Sequence, residues 1–143
     1  MRLRRFYYIG SLFFVFVLPM FVQGYFVWPE INGGQLFIFV VSVTIMGALW
    51  DVWATRHGKK DTTWLWQFHR GNTLGITFLD LPIEEFIFYT ASSTYVVFLW
   101  EGMTYATNTG SVALLFVLSS VSIWSMLGIL IPYILRSKRD RVI

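Results

Sequence analysis

Four acidic residues lie within or beside long apolar stretches of the chain, where carboxyl groups are uncommon: Asp51, Asp80, Glu84 and Glu85. A charged group at the centre of a bilayer costs roughly 2.5–3.5 kcal/mol on insertion scales, so such acids usually face a cavity or a partner and serve a function. Asp80 and Glu84 are four residues apart and would share one face of a helix that contained both. We therefore treat all four as candidate catalytic residues.

The surroundings of these acids indicate what chemistry they could perform. Apolar surroundings and neighbouring like charges favour the neutral form of a carboxyl group, which is then a general acid, while an ionised neighbour is a general base. The ring faces of nearby aromatic residues could stabilise a developing cation; these residues are Phe86, Phe88, Tyr89 and Tyr95. The combination predicts acid–base chemistry on an apolar substrate through a carbocation, and leaves open which acid donates the proton.

The same acids also fit a purely structural interpretation. Asp80 is a good N-cap residue, and Pro82 suits the first turn of a helix. Glu84 and Glu85 would then complement the helix dipole in the early turns. Two adjacent glutamates followed directly by Phe86 favour a function, since a helix start rarely needs both of them so close to hydrocarbon.

The composition indicates which elements position these residues. The chain has 143 residues, of which 56% are hydrophobic and 13% charged, more apolar side chain than a soluble domain of this length can bury. Residues 6–28, 36–53, 80–100 and 112–135 form four apolar stretches, each long enough to cross about 30 Å of hydrocarbon as a helix. We expect one domain, residues 1–143, with an all-α fold: a membrane bundle of about four transmembrane helices.

The basic residues predict how this bundle is oriented. All eleven lie at the N-terminus, after the second stretch or in the C-terminal tail: Arg2, Arg4, Arg5, Arg56, Lys59, Lys60, Arg70, Arg136, Lys138, Arg139 and Arg141. In a four-span arrangement these segments share one side, so the positive-inside rule predicts a cytoplasmic-membrane protein with both termini in the cytoplasm. Because orientation accounts for the net charge of +3, we expect no nucleic-acid partner.

Other kinds of site find little support in the sequence. There are no cysteines, so disulfides and thiol catalysis are excluded. His57 and His69 lack metal-ligand spacing, and no phosphate-binding glycine motif is present. We expect no metal ion and no cofactor.

Two faces of small or polar residues suggest where helices pack closely. The first is formed by Thr44, Gly47 and Asp51. The second runs through Ser119, Ser122 and Ser125 to Gly128, and passes Trp124 in the middle of the fourth stretch. Small residues let transmembrane helices approach one another, so helix packing is the expected role of both faces. Pro19 is expected to kink the first stretch.

Several of these segments together resemble a known family. They are Trp50-Asp51, the aromatic run 64–68, Leu74-Gly75-Ile76 and Leu81-Pro82-Ile83-Glu84-Glu85-Phe86-Ile87-Phe88. Over residues 49–100 the chain resembles the lycopene cyclase domain, the small membrane domain of heterodimeric bacterial carotenoid cyclases. This domain also occurs in archaeal cyclases and in fungal phytoene synthase–cyclase fusions.

The resemblance implies a reaction and a set of roles. The ψ end of an acyclic carotenoid such as lycopene is protonated at its terminal double bond, the cation closes into a six-membered ring, and a proton is lost. By resemblance, Glu84 or Glu85 would donate or accept the proton, with Asp51 second, and Pro82 would lie beside the substrate. Such domains work in pairs, so a second cyclase-domain subunit is the implied partner, as a homodimer or a heterodimer within membrane lipid.

Three alternatives remain open on the sequence. A proton-coupled transporter or channel subunit would also carry acids in its spans, although it usually places them deep in the bilayer. A non-catalytic assembly or carotenoid-binding subunit would need no acid–base chemistry. Asp80 differs from the small or apolar residue that the resemblance implies there, and a cyclase for elongated carotenoids would keep the mechanism but change the substrate.

Overall fold

A computed structural model describes residues 6–58 and 73–139, with side chains as far as Leu130. Helices dominate it, which confirms the all-α prediction. The elements in chain order are α1 (Tyr7–Leu12), a π-helical turn (Phe13–Val17), α2 (Leu18–Val27), a 3₁₀ turn (Trp28–Glu30), α3 (Gly33–Gly58), β1 (Thr77–Phe78), β2 (Leu81–Pro82), α4 (Ile83–Thr109) and α5 (Val112–Arg139).

The surface chemistry of the helices is that of a membrane protein. Among the described residues, three segments are long and apolar enough to cross a bilayer: Tyr8–Glu30, Gly33–His57 and Val112–Leu130. Other parts of the protein cover only 22%, 11% and 11% of their apolar windows, respectively. Soluble proteins rarely expose apolar surface on this scale. Lipid is therefore the medium that these helices require.

The chain forms two compact units. The first contains Met1–Leu12 and Asn32–Thr94, and therefore α1, α3, the two short strands and the beginning of α4. The second contains Phe13–Ile31 and Tyr95–Ile143, and therefore α2, α5 and the remainder of α4. Asp51, Asp80, Glu84 and Glu85 all belong to the first unit.

Helices α3 and α4 are longer than the apolar stretches 36–53 and 80–100. Local hydrogen bonds set the start of α3 and the end of α4 outside those stretches. Asn32 caps α3, because its Oδ1 accepts a hydrogen bond from the backbone N–H of Gln35 at 3.1 Å. At the end of α4, Gly110 adopts a φ of +67°. The N–H of Ser111 then donates to the carbonyl of Ala106 at 2.9 Å, which closes a Schellman motif.

The start of α4 contradicts the structural interpretation of Asp80 and Pro82 as a helix cap and a first-turn residue. Asp80 is not a helix cap, and Pro82 does not lie in the first helical turn. Both belong to a tight antiparallel hairpin in which Phe78 pairs with Leu81. Leu79 and Asp80 form its turn with φ values of +52° and +70°, the mirror-image geometry that joins twisted strands tightly. The helix begins at Ile83, so Asp80 and Glu84 do not share a helix face.

In the second unit, Pro19 explains an irregularity in the first apolar segment. A proline has no N–H, so Pro19 cannot bond the carbonyl of Val15 in α-helical geometry or that of Phe14 in π-helical geometry. Those two carbonyls accept hydrogen bonds from α5 instead. Ser125 Oγ donates to Val15 at 2.8 Å, and the indole Nε1 of Trp124 donates to Phe14 at 3.1 Å. Two carbonyls of the π-helical turn therefore receive their hydrogen bonds from side chains on α5.

The predicted small-residue face of α5 packs within this unit at Ser125 and Gly128, whereas Ser119 is exposed. A side chain at Gly128 would begin 2.7 Å from Cγ2 of Val15, a separation that atoms do not tolerate. A Cβ atom on Gly102 of α4 would lie 2.9 Å from Cδ1 of Leu118 on α5. Small residues therefore allow close helix approach here.

Candidate functional site

Three of the four candidate acids are buried together in the first unit. Asp51 and Glu84 are fully buried, and Glu85 is 6% exposed. Glu84 and Glu85 occupy the first turn of α4, as the sequence predicted, while Asp51 comes from α3. Glu84 and Glu85 are adjacent on α4, and Tyr89, one turn after Glu85, contacts Asp51, so the three carboxyl groups form one cluster.

Two tyrosines donate hydrogen bonds into this cluster. The hydroxyl of Tyr8 on α1 donates to Glu85 Oε1 at 2.6 Å. The hydroxyl of Tyr89, one turn further along α4 than Glu85, donates to Asp51 Oδ2 at 2.8 Å. Each of these acids thus has an aromatic hydroxyl that fixes its orientation. The Tyr89 ring was predicted to present its face to a cation, whereas the structure shows its hydroxyl bound to an acid.

Glu84 is held by the backbone that precedes the hairpin. The N–H of Leu74 donates to Glu84 Oε1. The N–H of Ile83 donates to the carbonyl of Ile76 at 3.0 Å and fastens the segment 73–76 against the start of α4. The hairpin therefore has a positioning role: it returns the chain so that Leu74 reaches the side chain of Glu84.

Three buried oxygen atoms of this unit have no hydrogen-bond partner among the residues that the structure describes. They are Asp51 Oδ1, Glu84 Oε2 and Thr55 Oγ1, with Thr55 one helical turn after Asp51 on α3. A buried polar atom without a partner costs roughly 1–3 kcal/mol. Such atoms persist where a ligand, a water molecule or a reaction uses them, so they mark the polar centre of the candidate site.

The predicted packing face of α3 lies directly beside the acids. Thr44 Oγ1 is 3.4 Å from Thr90 Oγ1 of α4. A Cβ atom on Gly47 would lie 2.6 Å from Cδ1 and Cζ of the Tyr89 ring. The small residues of this face therefore bring α3 and α4 close enough for Tyr89 to reach Asp51.

The other predicted site residues lie in several places. Asp80 is exposed at the hairpin turn, and Pro82 is buried in β2 directly before the glutamates. The Phe86 ring packs on Phe78, and the Phe88 ring packs beside Tyr89 with the centroids 5.4 Å apart. Tyr95 belongs to the second unit, where it is buried against the ring of Phe16. The aromatic run 64–68 lies outside the described residues.

Sequence reasoning missed the groups that hold the acids. Tyr8 was absent from the candidates because it lies 77 residues before Glu85. Leu74 acts through its backbone, which no side-chain pattern reports. Thr55 could have been noticed, because it follows Asp51 at helical spacing and continues the polar face of α3 by one turn.

The arrangement is suited to moving protons in an apolar medium. A carboxyl group can donate or accept a proton, so neighbouring buried carboxyl groups can serve as an acid and a base. The tyrosine hydroxyls and the Leu74 N–H each occupy one oxygen of an acid. On Asp51 and Glu84 the second oxygen has no hydrogen bond to any described residue. Neither protein-family models, nor curated proteins, nor solved structures give a match to this chain.

Proposed function

We propose that this protein is one subunit of a carotenoid end-group cyclase of the lycopene cyclase type. The observation that carries the proposal is the buried cluster of Asp51, Glu84 and Glu85 in a protein whose helices require lipid. An apolar polyene dissolves in the same medium, so substrate and acids would meet without water. The resemblance of residues 49–100 to the lycopene cyclase domain supports the same function.

The reaction needs one proton donor and one proton acceptor, and no electrons are exchanged. A neutral carboxyl group transfers its proton to the terminal double bond of the substrate, and the resulting cation is attacked by the neighbouring double bond to close the ring. A carboxylate then removes a proton from the ring carbon, which restores the net charge of the site. Asp51 and Glu84 supply these two groups through their unpartnered oxygens, and either could act first.

The exclusion of water is part of this mechanism. A carbocation in water would be trapped as an alcohol, whereas a dry site lets ring closure and proton loss finish. The rings of Phe86 and Phe88, on the same turns of α4 as the acids, would border the substrate and stabilise positive charge.

The proposed topology has four spans with both termini in the cytoplasm. Helix α4 has 27 residues, about 40 Å at 1.5 Å per residue, which is enough to cross a bilayer. With α4 as the third span, every lysine and arginine lies on one side of the membrane. A second cyclase-domain subunit, identical or different, is the proposed partner.

The test is pigment analysis in lycopene-accumulating bacteria that express this chain, alone and with the protein encoded beside it. We expect cyclic end groups in at least one pairing, and their loss with Glu84→Gln. Glu101→Gln, which changes another glutamate of α4, is the matched control and should leave conversion intact. Acyclic pigment in every pairing, with the protein present in the membrane, would reject lycopene as substrate. If Glu84→Gln kept full conversion, Glu84 would be neither the proton donor nor the proton acceptor.

A further inference from the structure

Tyr89 touches α3 at two points that are one helical turn apart. Its ring lies against the backbone of Gly47, where even a methyl group would be 2.6 Å from two ring atoms. Its hydroxyl reaches Asp51 Oδ2 at 2.8 Å. Because Gly47 and Asp51 are four residues apart, they lie on one face of α3. The ring of Tyr89 thus packs on Gly47 while its hydroxyl binds Asp51 one turn further along α3.

We propose that Tyr89 is the positioning residue for Asp51, and that Gly47 is the residue that makes this position possible. The inference rests on the proposed function. The expectation that the Tyr89 ring faces a cation stays a separate prediction. The hydroxyl holds Oδ2, so Oδ1 is the single oxygen of Asp51 that exchanges a proton with the substrate. Tyr89 keeps its own proton throughout.

The need for such a residue follows from the chemistry of Asp51. An aspartate held at neither oxygen can rotate its carboxyl group, and a group that transfers protons must lie within hydrogen-bond reach of the reacting atom. Within the described part of the chain, Asp51 Oδ1 has no hydrogen-bond partner, so the bond at Oδ2 is the contact that fixes where Oδ1 lies. A displacement of about 1 Å in such a group costs about 100-fold in rate.

Two variants test the inference, each with a matched control. Tyr89→Phe removes the hydroxyl and keeps the ring, whereas Gly47→Ala displaces the ring. Tyr25→Phe changes a tyrosine that is 82% exposed, and Gly10→Ala adds a methyl group where nothing lies within 4 Å. With the active pair in membranes, we expect Tyr89→Phe to lower kcat about 10- to 100-fold at an unchanged KM. The controls should behave as the parent protein, and Tyr89→Phe in a Gly47→Ala background should cause little additional loss.

Infrared spectroscopy on aspartate-labelled protein gives a readout that does not require turnover. The bands of Asp51 are those that Asp51→Asn removes, and we expect Tyr89→Phe to shift them because a hydrogen bond to the carboxyl group is lost. Unshifted bands would overturn the positioning role whatever the activity. Shifted bands with full activity would overturn its catalytic part and leave the proposed function intact. If the parent protein formed no cyclic product in any pairing, both the proposed function and the catalytic role of Tyr89 would be rejected. The infrared bands would still show whether Tyr89 holds Asp51.

Discussion

At the scale of single residues, the hydrogen bonds to the acids join parts of the chain that are far apart in sequence. Tyr8 and Glu85 are separated by 77 residues, and Asp51 and Tyr89 by 38. Each pair satisfies a buried oxygen that would otherwise lack a partner. These bonds therefore contribute to stability in addition to any role in proton transfer.

Tyr8→Phe is expected to lower the free energy of unfolding by about 1–2 kcal/mol, because Glu85 Oε1 loses its donor while it stays buried. Reversible unfolding in detergent with increasing denaturant measures the change. Tyr25→Phe, at an exposed tyrosine, should shift the midpoint by much less. Equal shifts for the two variants would show that the Tyr8 hydroxyl adds nothing to stability.

The backbone of Leu79 gives a second prediction at this scale. Its φ of +52° is unfavourable for a side chain that carries a Cβ, at a cost of roughly 1–2 kcal/mol. Leu79→Gly should therefore raise the free energy of unfolding by about 1 kcal/mol. Ile76→Gly, an exposed position nearby without a positive φ, should give no gain in the same measurement.

Part of the candidate site could be predicted from sequence because acids in apolar stretches are conspicuous. Glu84 and Glu85 were expected in an early helical turn, and the structure places them there. The interpretation of Asp80 as a helix cap was wrong, because helix caps and tight hairpin turns both favour aspartate. Tyr8 could not be predicted, since no periodic pattern relates residues on separate helices.

At the scale of elements, the positions of the helices followed from hydrophobicity, but their ends did not. Asn32 and Gly110 set the start of α3 and the end of α4 through local hydrogen bonds, outside the apolar stretches. The π-helical turn was not predicted either. Its cause, Pro19, is visible in the sequence. The hydrogen bond that replaces the missing N–H comes from Ser125, which is far away in the sequence.

Ser125→Ala is expected to destabilise the protein by about 1–2 kcal/mol, because the Val15 carbonyl loses the hydroxyl that replaces the missing N–H of Pro19. The matched control is Ser122→Ala, since Ser122 bonds the carbonyl of Leu118 in its own helix. Unfolding midpoints of both variants give the comparison.

A double-mutant cycle tests the cause as well as the size of this effect. In a Pro19→Ala background the helix can supply an N–H to Val15, so the cost of Ser125→Ala should shrink. An unchanged cost would mean that Ser125 acts independently of the proline.

At the scale of the whole molecule, the proposed orientation can be measured directly. The chain contains no cysteine, so single cysteines can be introduced without background. Cysteines that replace Glu30 or Asn108 should react with a membrane-impermeant maleimide in intact cells. Cysteines at Arg56 and Lys138 should react only after lysis. Labelling of all four from outside would contradict the four-span arrangement with cytoplasmic termini.

The long separation between Asp51 and Tyr89 has a consequence for how the protein is made. The ribosome completes α3 before it reaches α4, so Asp51 is synthesised 38 residues ahead of the tyrosine that binds it. At roughly 5–20 residues per second this delay is about 2–8 s. During that time a nascent α3 would carry an uncompensated acid. Insertion of α3 and α4 together, as a helical hairpin delivered by the translocation machinery, would avoid exposing that acid to lipid.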